Sequence, residues 1–133
     1  MQNRILFIED DETLQRMYRT FLQNRGYVVT SAYDGAEGLQ KARKEHPDII
    51  LLDIRMPKMD GMTMLSKLRQ DVWGKNAKVI ILTNFDQNDE ILRSVVADQP
   101  SYYLIKSNIK PETIIEYINM VLGEQKTQKQ ENE

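Results

Sequence analysis

The chain has 133 residues, 41% of them hydrophobic and 29% charged, and its 18 Lys+Arg against 20 Asp+Glu leave a formal net charge of −2. That length fits one domain with one core, and the near-neutral balance lacks the clustered positive charge on which nonspecific nucleic-acid or membrane-surface binding rests. There is no cysteine and one histidine, His46, so disulfides, thiolate catalysis, Cys-ligated zinc and any multi-histidine site are excluded. The first apolar run, residues 5–8, stops at Glu9, too short for a signal peptide, and no run approaches a membrane span. A cytoplasmic domain is expected, with its chemistry drawn from carboxylates, lysine, hydroxyls or backbone.

Short apolar runs alternate with helix-spaced stretches along the chain. Residues 5–8 read as a strand, followed by a helical face of Leu14, Met17, Tyr18, Phe21 and Leu22. Gly26 fits the left-handed position that ends a helix. A strand over 27–32 precedes a second helix marked by Ala36, Leu39 and Ala42 and weakened by Gly38. The strand at 48–52 precedes a third helix with Met64, Leu65 and Leu68, and the strand at 78–82 a fourth with Ile91, Leu92, Val95 and Val96, stopped by Pro100. The strand at 102–105 leads to a fifth helix, with Pro111 in its first turn and Ile114, Ile115, Ile118, Val121 and Leu122 on its face.

Strands rich in Ile and Val, apolar on both faces and joined by helices, make a parallel sheet with right-handed crossovers. The expected fold is α/β, a doubly wound five-stranded parallel sheet with five helices over residues 1–123. Residues 124–133 hold no apolar side chain and read as a frayed or disordered tail.

Ligands of open α/β sheets bind beyond the carboxyl ends of the strands. Glu9, Asp10 and Asp11 follow the first run, Asp53 the third, Thr83 and Asn84 the fourth, and Lys106 the fifth. Crowded carboxylates repel, and a hard divalent cation with oxygen ligands, such as Mg²⁺, relieves the repulsion. Carboxylates, Mg²⁺, a lysine and a hydroxyl form a phosphoryl-binding set in which one carboxylate can act as nucleophile. Asp11 reads as an ordinary helix cap. His46, before Pro47 at the opposite edge, reads as a surface histidine, and Trp73 and the cluster Met56, Met59, Met62 and Met64 as packing residues.

The sequence resembles the receiver domain of two-component response regulators over residues 3–122. The resemblance is carried by the strand and acidic pair ending at Glu9 and Asp10, by the segment from Asp48 through Asp53, Arg55, Pro57 and Asp60 to Gly61, by the strand ending at Thr83, and by Tyr103-Leu104-Ile105-Lys106. It implies a flavodoxin-like sheet in the order 2-1-3-4-5. It implies that Asp53 is the phosphoacceptor and that Glu9, Asp10 and Asp53 bind Mg²⁺ with the backbone carbonyl of Arg55. Thr83 and Lys106 would meet the phosphoryl group, and Tyr103 would be the switch aromatic. The implied donor is a sensor histidine kinase or a His-containing phosphotransfer protein, and the face from the fourth helix to the fifth is the expected partner or homodimer surface. Activity is then limited to self-phosphorylation and slow hydrolysis, and with no output domain expected after residue 123 the readout is binding.

The chain departs from the family pattern in places. Ser107 follows Lys106 where the family has proline after a cis bond, and a non-proline cis bond costs about 2.5–4 kcal/mol. Gln99-Pro100 replaces the usual Gly-Ala. Asn84 is larger than usual, and Arg55 and Phe85 stand where residues tune water attack on the phosphoryl group. The alternative readings are a Mg²⁺-dependent aspartyl-phosphate phosphohydrolase, a flavin carrier and a degenerate receiver with constitutive binding.

Overall fold

Residues that alternate along a buried strand face opposite sides of its sheet, and the apolar runs use both sides. In a computed structural model that describes residues 3–53, 59–83, 102–105 and 110–131, the runs form β1 (Arg4–Ile8), β2 (Val28–Ala32), β3 (Ile49–Asp53), β4 (Val79–Thr83) and β5 (Tyr102–Ile105). They make one sheet in the order β2-β1-β3-β4-β5, with every neighbouring pair parallel. This is the expected flavodoxin-like order.

The crossovers are α1 (Glu12–Asn24), α2 (Gly35–Glu45) and α3 (Gly61–Arg69), with a 3-10 turn at Gly74–Asn76 before β4 and α4 (Pro111–Glu131) after β5. The helix expected around residues 91–96 lies outside the described residues. Each of α1, α2 and α3 opens on an aspartate cap: Asp11, Asp34 and Asp60 accept from the backbone N–H three residues on, at 3.0, 2.8 and 2.8 Å. Gly26 closes the α1 turn at φ +93, as its position predicts.

Leu6, Ile8, Ile50, Leu52, Val79 and Ile81 pack with Leu39 and Ala42 of α2 and Met64, Leu65 and Leu68 of α3. Their alternates Ile5, Phe7, Ile49, Leu51, Ile80 and Leu82 pack with Tyr18 and Leu22 of α1 and Ile114, Ile118 and Val121 of α4. Two cores thus share one set of strands, and β1 and β3 are buried along their apolar length. Trp73 packs against the first core, and its ring stacks on His46 with centroids 4.3 Å apart and planes 9° from parallel. His46 is exposed, as expected, and caps α2 in the left-handed region at φ 46.

The chain beyond Gly123 differs from its expectation. Helical backbone continues to Glu131 where composition predicts a frayed tail. Glu, Gln and Lys are strong helix formers, and extending a helix already nucleated at Pro111 adds one hydrogen bond per residue. Gly38 differs too. Its missing side chain costs helix propensity, but a Cβ there would come within 2.5 Å of Ile8 Cδ1, so the glycine lets α2 close on β1 one residue before Glu9.

Tyr27 Oη donates to Asn119 Oδ1 at 2.9 Å, tying the approach to β2 to α4. Burial raises the phenol above its usual 10.0. A folded-state value above the unfolded one means that this contribution is complete below about pH 10 and is lost as pH rises through the folded value. Tyr27→Phe is expected to remove that part of the alkaline loss of stability, read by denaturant titrations across the alkaline range.

At Gly35 a Cβ would overlap the backbone carbonyl of Met59, which accepts the Gly35 N–H at 2.9 Å. Alanine is the better helix former by about 1 kcal/mol. Gly35→Ala is nevertheless expected to lower stability by about 1–3 kcal/mol, because backbone must shift to admit it. A lower urea midpoint at unchanged slope is the check.

Candidate functional site

Parallel register decides which residues meet at the carboxyl edge. β1 pairs with β3 so that Ile8 lies beside Leu52, and the next residue on each strand is an acid, Glu9 and Asp53. On the other side of β3, Asp53 pairs with Leu82, so the backbone of Thr83 ends β4 one step beyond it. Thr83 in turn pairs with Ile105, and Tyr103 with Ile81. Arg55 and Lys106, both expected at this edge, lie outside the described residues, as does the Lys106-Ser107 bond.

The carboxylates of Glu9, Asp10 and Asp53 come together, each offering an oxygen within 4.8 Å of the others. Glu9 is 1% exposed and Asp53 6%, whereas Asp10 faces solvent. Buried like charges repel in a low dielectric. An all-oxygen donor set of this kind, open on one side, suits a hard divalent cation that keeps some of its water. These three residues could hold Mg²⁺.

Backbone hydrogen bonds hold the acids in place. The Glu9 N–H donates to Ala32 O at 3.0 Å, joining the end of β1 to the end of β2. The Asp11 N–H reaches Glu9 Oε2 at 3.4 Å, and Asp11 then caps α1. The chain therefore turns from strand to helix within the acidic run itself, which confines Glu9 and Asp10 to the edge. On the far side, the Gly35–Met59 bond anchors the chain leading into α3 against the start of α2.

Two residues beside this edge, Gln15 and Gly35, carry no site signal in the sequence. Gln15 has no exposure, although the apolar stripe of α1 passes through Leu14, Met17 and Tyr18. Met17, which belongs to that stripe by spacing, is 47% exposed. The legible signal was a polar residue three before Tyr18 and seven before Leu22, on the line that α1 buries. Gly35 could have been suspected only as a glycine following an N-cap aspartate, since its partner Met59 is remote in sequence.

Known proteins share the family and fold of this chain. The response regulator receiver domain family matches residues 5–119. The chemotaxis protein CheY of Bacillus subtilis (strain 168) is 28% identical over 124 residues, covering 92% of this chain and 100% of that protein. The alkaline phosphatase synthesis transcriptional regulatory protein PhoP of the same organism is 41% identical over 70 residues, covering 53% of this chain and 29% of that protein. The chain spans less than half the length of several curated relatives that it matches, PhoP among them. A CheY-like response regulator receiver domain protein from Methanospirillum hungatei JF-1 has the same fold, with a TM-score of 0.87 and 27% identity over 96% of this chain and 99% of that one. With the family match spanning both acidic strand ends, the chain belongs to the response regulator receiver domain family.

Proposed function

We propose that this chain is a phosphorylation-controlled interaction switch that accepts a phosphoryl group on Asp53 from a sensor histidine kinase or a His-containing phosphotransfer protein. The observation that carries this reading is the meeting of Glu9, Asp10 and Asp53 at adjacent strand ends. Glu9, Asp10, Asp53 and the backbone carbonyl of Arg55 are the residues that would hold Mg²⁺, which when bound supplies positive charge to the phosphoryl oxygens.

An Asp53 carboxylate oxygen attacks phosphorus as the donor's N–P bond breaks. The electron pair of that bond returns to the donor imidazole, which takes up a proton. The Lys106 ammonium pairs with one phosphoryl oxygen, and the Thr83 hydroxyl donates to another. Drawing Thr83 toward the phosphoryl group frees space for the Tyr103 ring, and this biases the surface from the expected fourth helix to the C-terminal helix toward a downstream protein or a second copy. Water attack on phosphorus later restores the Asp53 carboxylate and releases inorganic phosphate. Arg55 and Phe85, two residues beyond Asp53 and Thr83, set how readily that water arrives.

Incubation with a small phosphodonor and Mg²⁺ should raise the intact mass by one phosphoryl group. Asp53→Ala or removal of Mg²⁺ should abolish the gain. A gain that survives both, or none in the unaltered chain, would refute the assignment for such donors.

Asp10→Asn tests the charge balance separately. The substitution keeps shape and one acceptor oxygen but removes a negative charge from the cluster. In chelated buffer the variant should melt above the unaltered chain by a few degrees, about 2–6 °C for each kcal/mol of relieved repulsion. Adding Mg²⁺ should raise the melting temperature of the unaltered chain more than that of the variant.

A further inference from the structure

A buried amide on α1 holds the backbone that presents Glu9. Gln15 Nε2 lies 3.2 Å from each of three carbonyl oxygens, those of Phe7, Glu9 and Ala32. The amide has two N–H donors, so at least one is shared between acceptors. The carbonyls belong to the ends of β1 and β2, and Ala32 O also accepts the Glu9 N–H. The peptide groups on both sides of Glu9 Cα are therefore held, one through its N–H by Ala32 and one through its C=O by Gln15.

The orientation of the amide is determined as well. Ser31 Oγ donates to Gln15 Oε1 at 2.9 Å and itself accepts from Arg19 at 3.1 Å. A flipped amide would aim its oxygen at three carbonyl oxygens and its N–H groups away from every one of them. The relay runs one way, from the Arg19 guanidinium through the Ser31 hydroxyl and the Gln15 amide to the strand ends, and each donor polarises the next.

We infer that Gln15 is a positioning residue for the acidic site, fixing the Glu9 backbone so that its carboxylate stands beside those of Asp10 and Asp53 in ion-binding geometry. The inference rests on the proposed Mg²⁺ site. Groups one step removed from a metal typically change its affinity by 10–100-fold when lost, and a backbone clamp on a ligand-bearing residue belongs to that class.

The test is calorimetric titration of Mg²⁺ into the full chain and two variants, far below their melting temperatures. Gln15→Met keeps length and fills the same space but removes both donors. Ser31→Ala leaves the three carbonyl contacts and removes only the group that orients the amide. Gln15→Met is expected to weaken Mg²⁺ binding by about 10-fold or more, with Ser31→Ala weakening it less and in the same direction. Unchanged affinity in folded Gln15→Met overturns the inference even if its melting temperature falls, because a purely structural role would lower stability without moving affinity. Should Gln15→Met fail to fold, Ser31→Ala decides: unchanged affinity overturns the inference and weakened affinity supports it. If the unaltered chain takes up no Mg²⁺, the proposed site fails and the inference with it, an outcome distinct from equal binding by chain and variants.

Discussion

Glu9 and Asp53 are 1% and 6% exposed, with carboxylate oxygens no more than 4.8 Å apart. At an effective dielectric of about 20, two like charges at such a separation repel by roughly 3–4 kcal/mol. The backbone under the charges is held in place, because Glu9 follows β1 and Asp53 ends β3, and the apolar residues of both strands are buried on both faces of the sheet. Parting the two backbones would mean shearing β1 against β3 and breaking two cores at once.

The fold was legible because its physical signals are local. Apolar runs of four to six residues with helix-spaced stretches between them left a doubly wound parallel sheet as the simple arrangement, and strand positions agree within a residue or two, while the strand order came from the family resemblance. Glu9, Asp10 and Asp53 were legible for a related reason: in a parallel sheet the residue after an apolar run is at the carboxyl edge. What was not legible depends on contacts between residues distant in sequence. Gln15 is a polar side chain on an apolar stripe until its partners at residues 7, 9 and 32 are known. Gly38 is a weak point in a helix until Ile8 is placed against it. The polar stretch after Gly123 lacked any core to bury, and its helicity comes from the well-anchored helix that precedes it.

The near-neutral net charge is an average that conceals the feature that matters. Three of the 20 acidic side chains bring carboxylate oxygens within 4.8 Å of one another. Other described acids make contacts away from this cluster. Asp11, Asp34 and Asp60 cap helices, and Asp71 takes a paired contact from Arg43 with the shorter bond at 2.6 Å. The Asp caps and the Glu9-Asp10 pair are separated by no composition rule, since Asp10 and Asp11 are adjacent and identical. Asp11 spends its carboxylate on the Leu14 N–H of α1, while Asp10, one residue nearer the strand, brings its own to Glu9 and Asp53.

The acidic edge is braced from both faces of the sheet. From the α1 side, Gln15 grips the ends of β1 and β2. From the α2 side, Gly35 grips Met59 on the way into α3. These helices belong to different cores, so a shift of either layer pulls on backbone adjoining the site. Both braces end on β1, β2 and the chain entering α3, and neither involves β4 or β5. Glu9 and Asp10 thus stand on the braced side of Asp53, and the backbone of Thr83 ends the neighbouring strand on its other side.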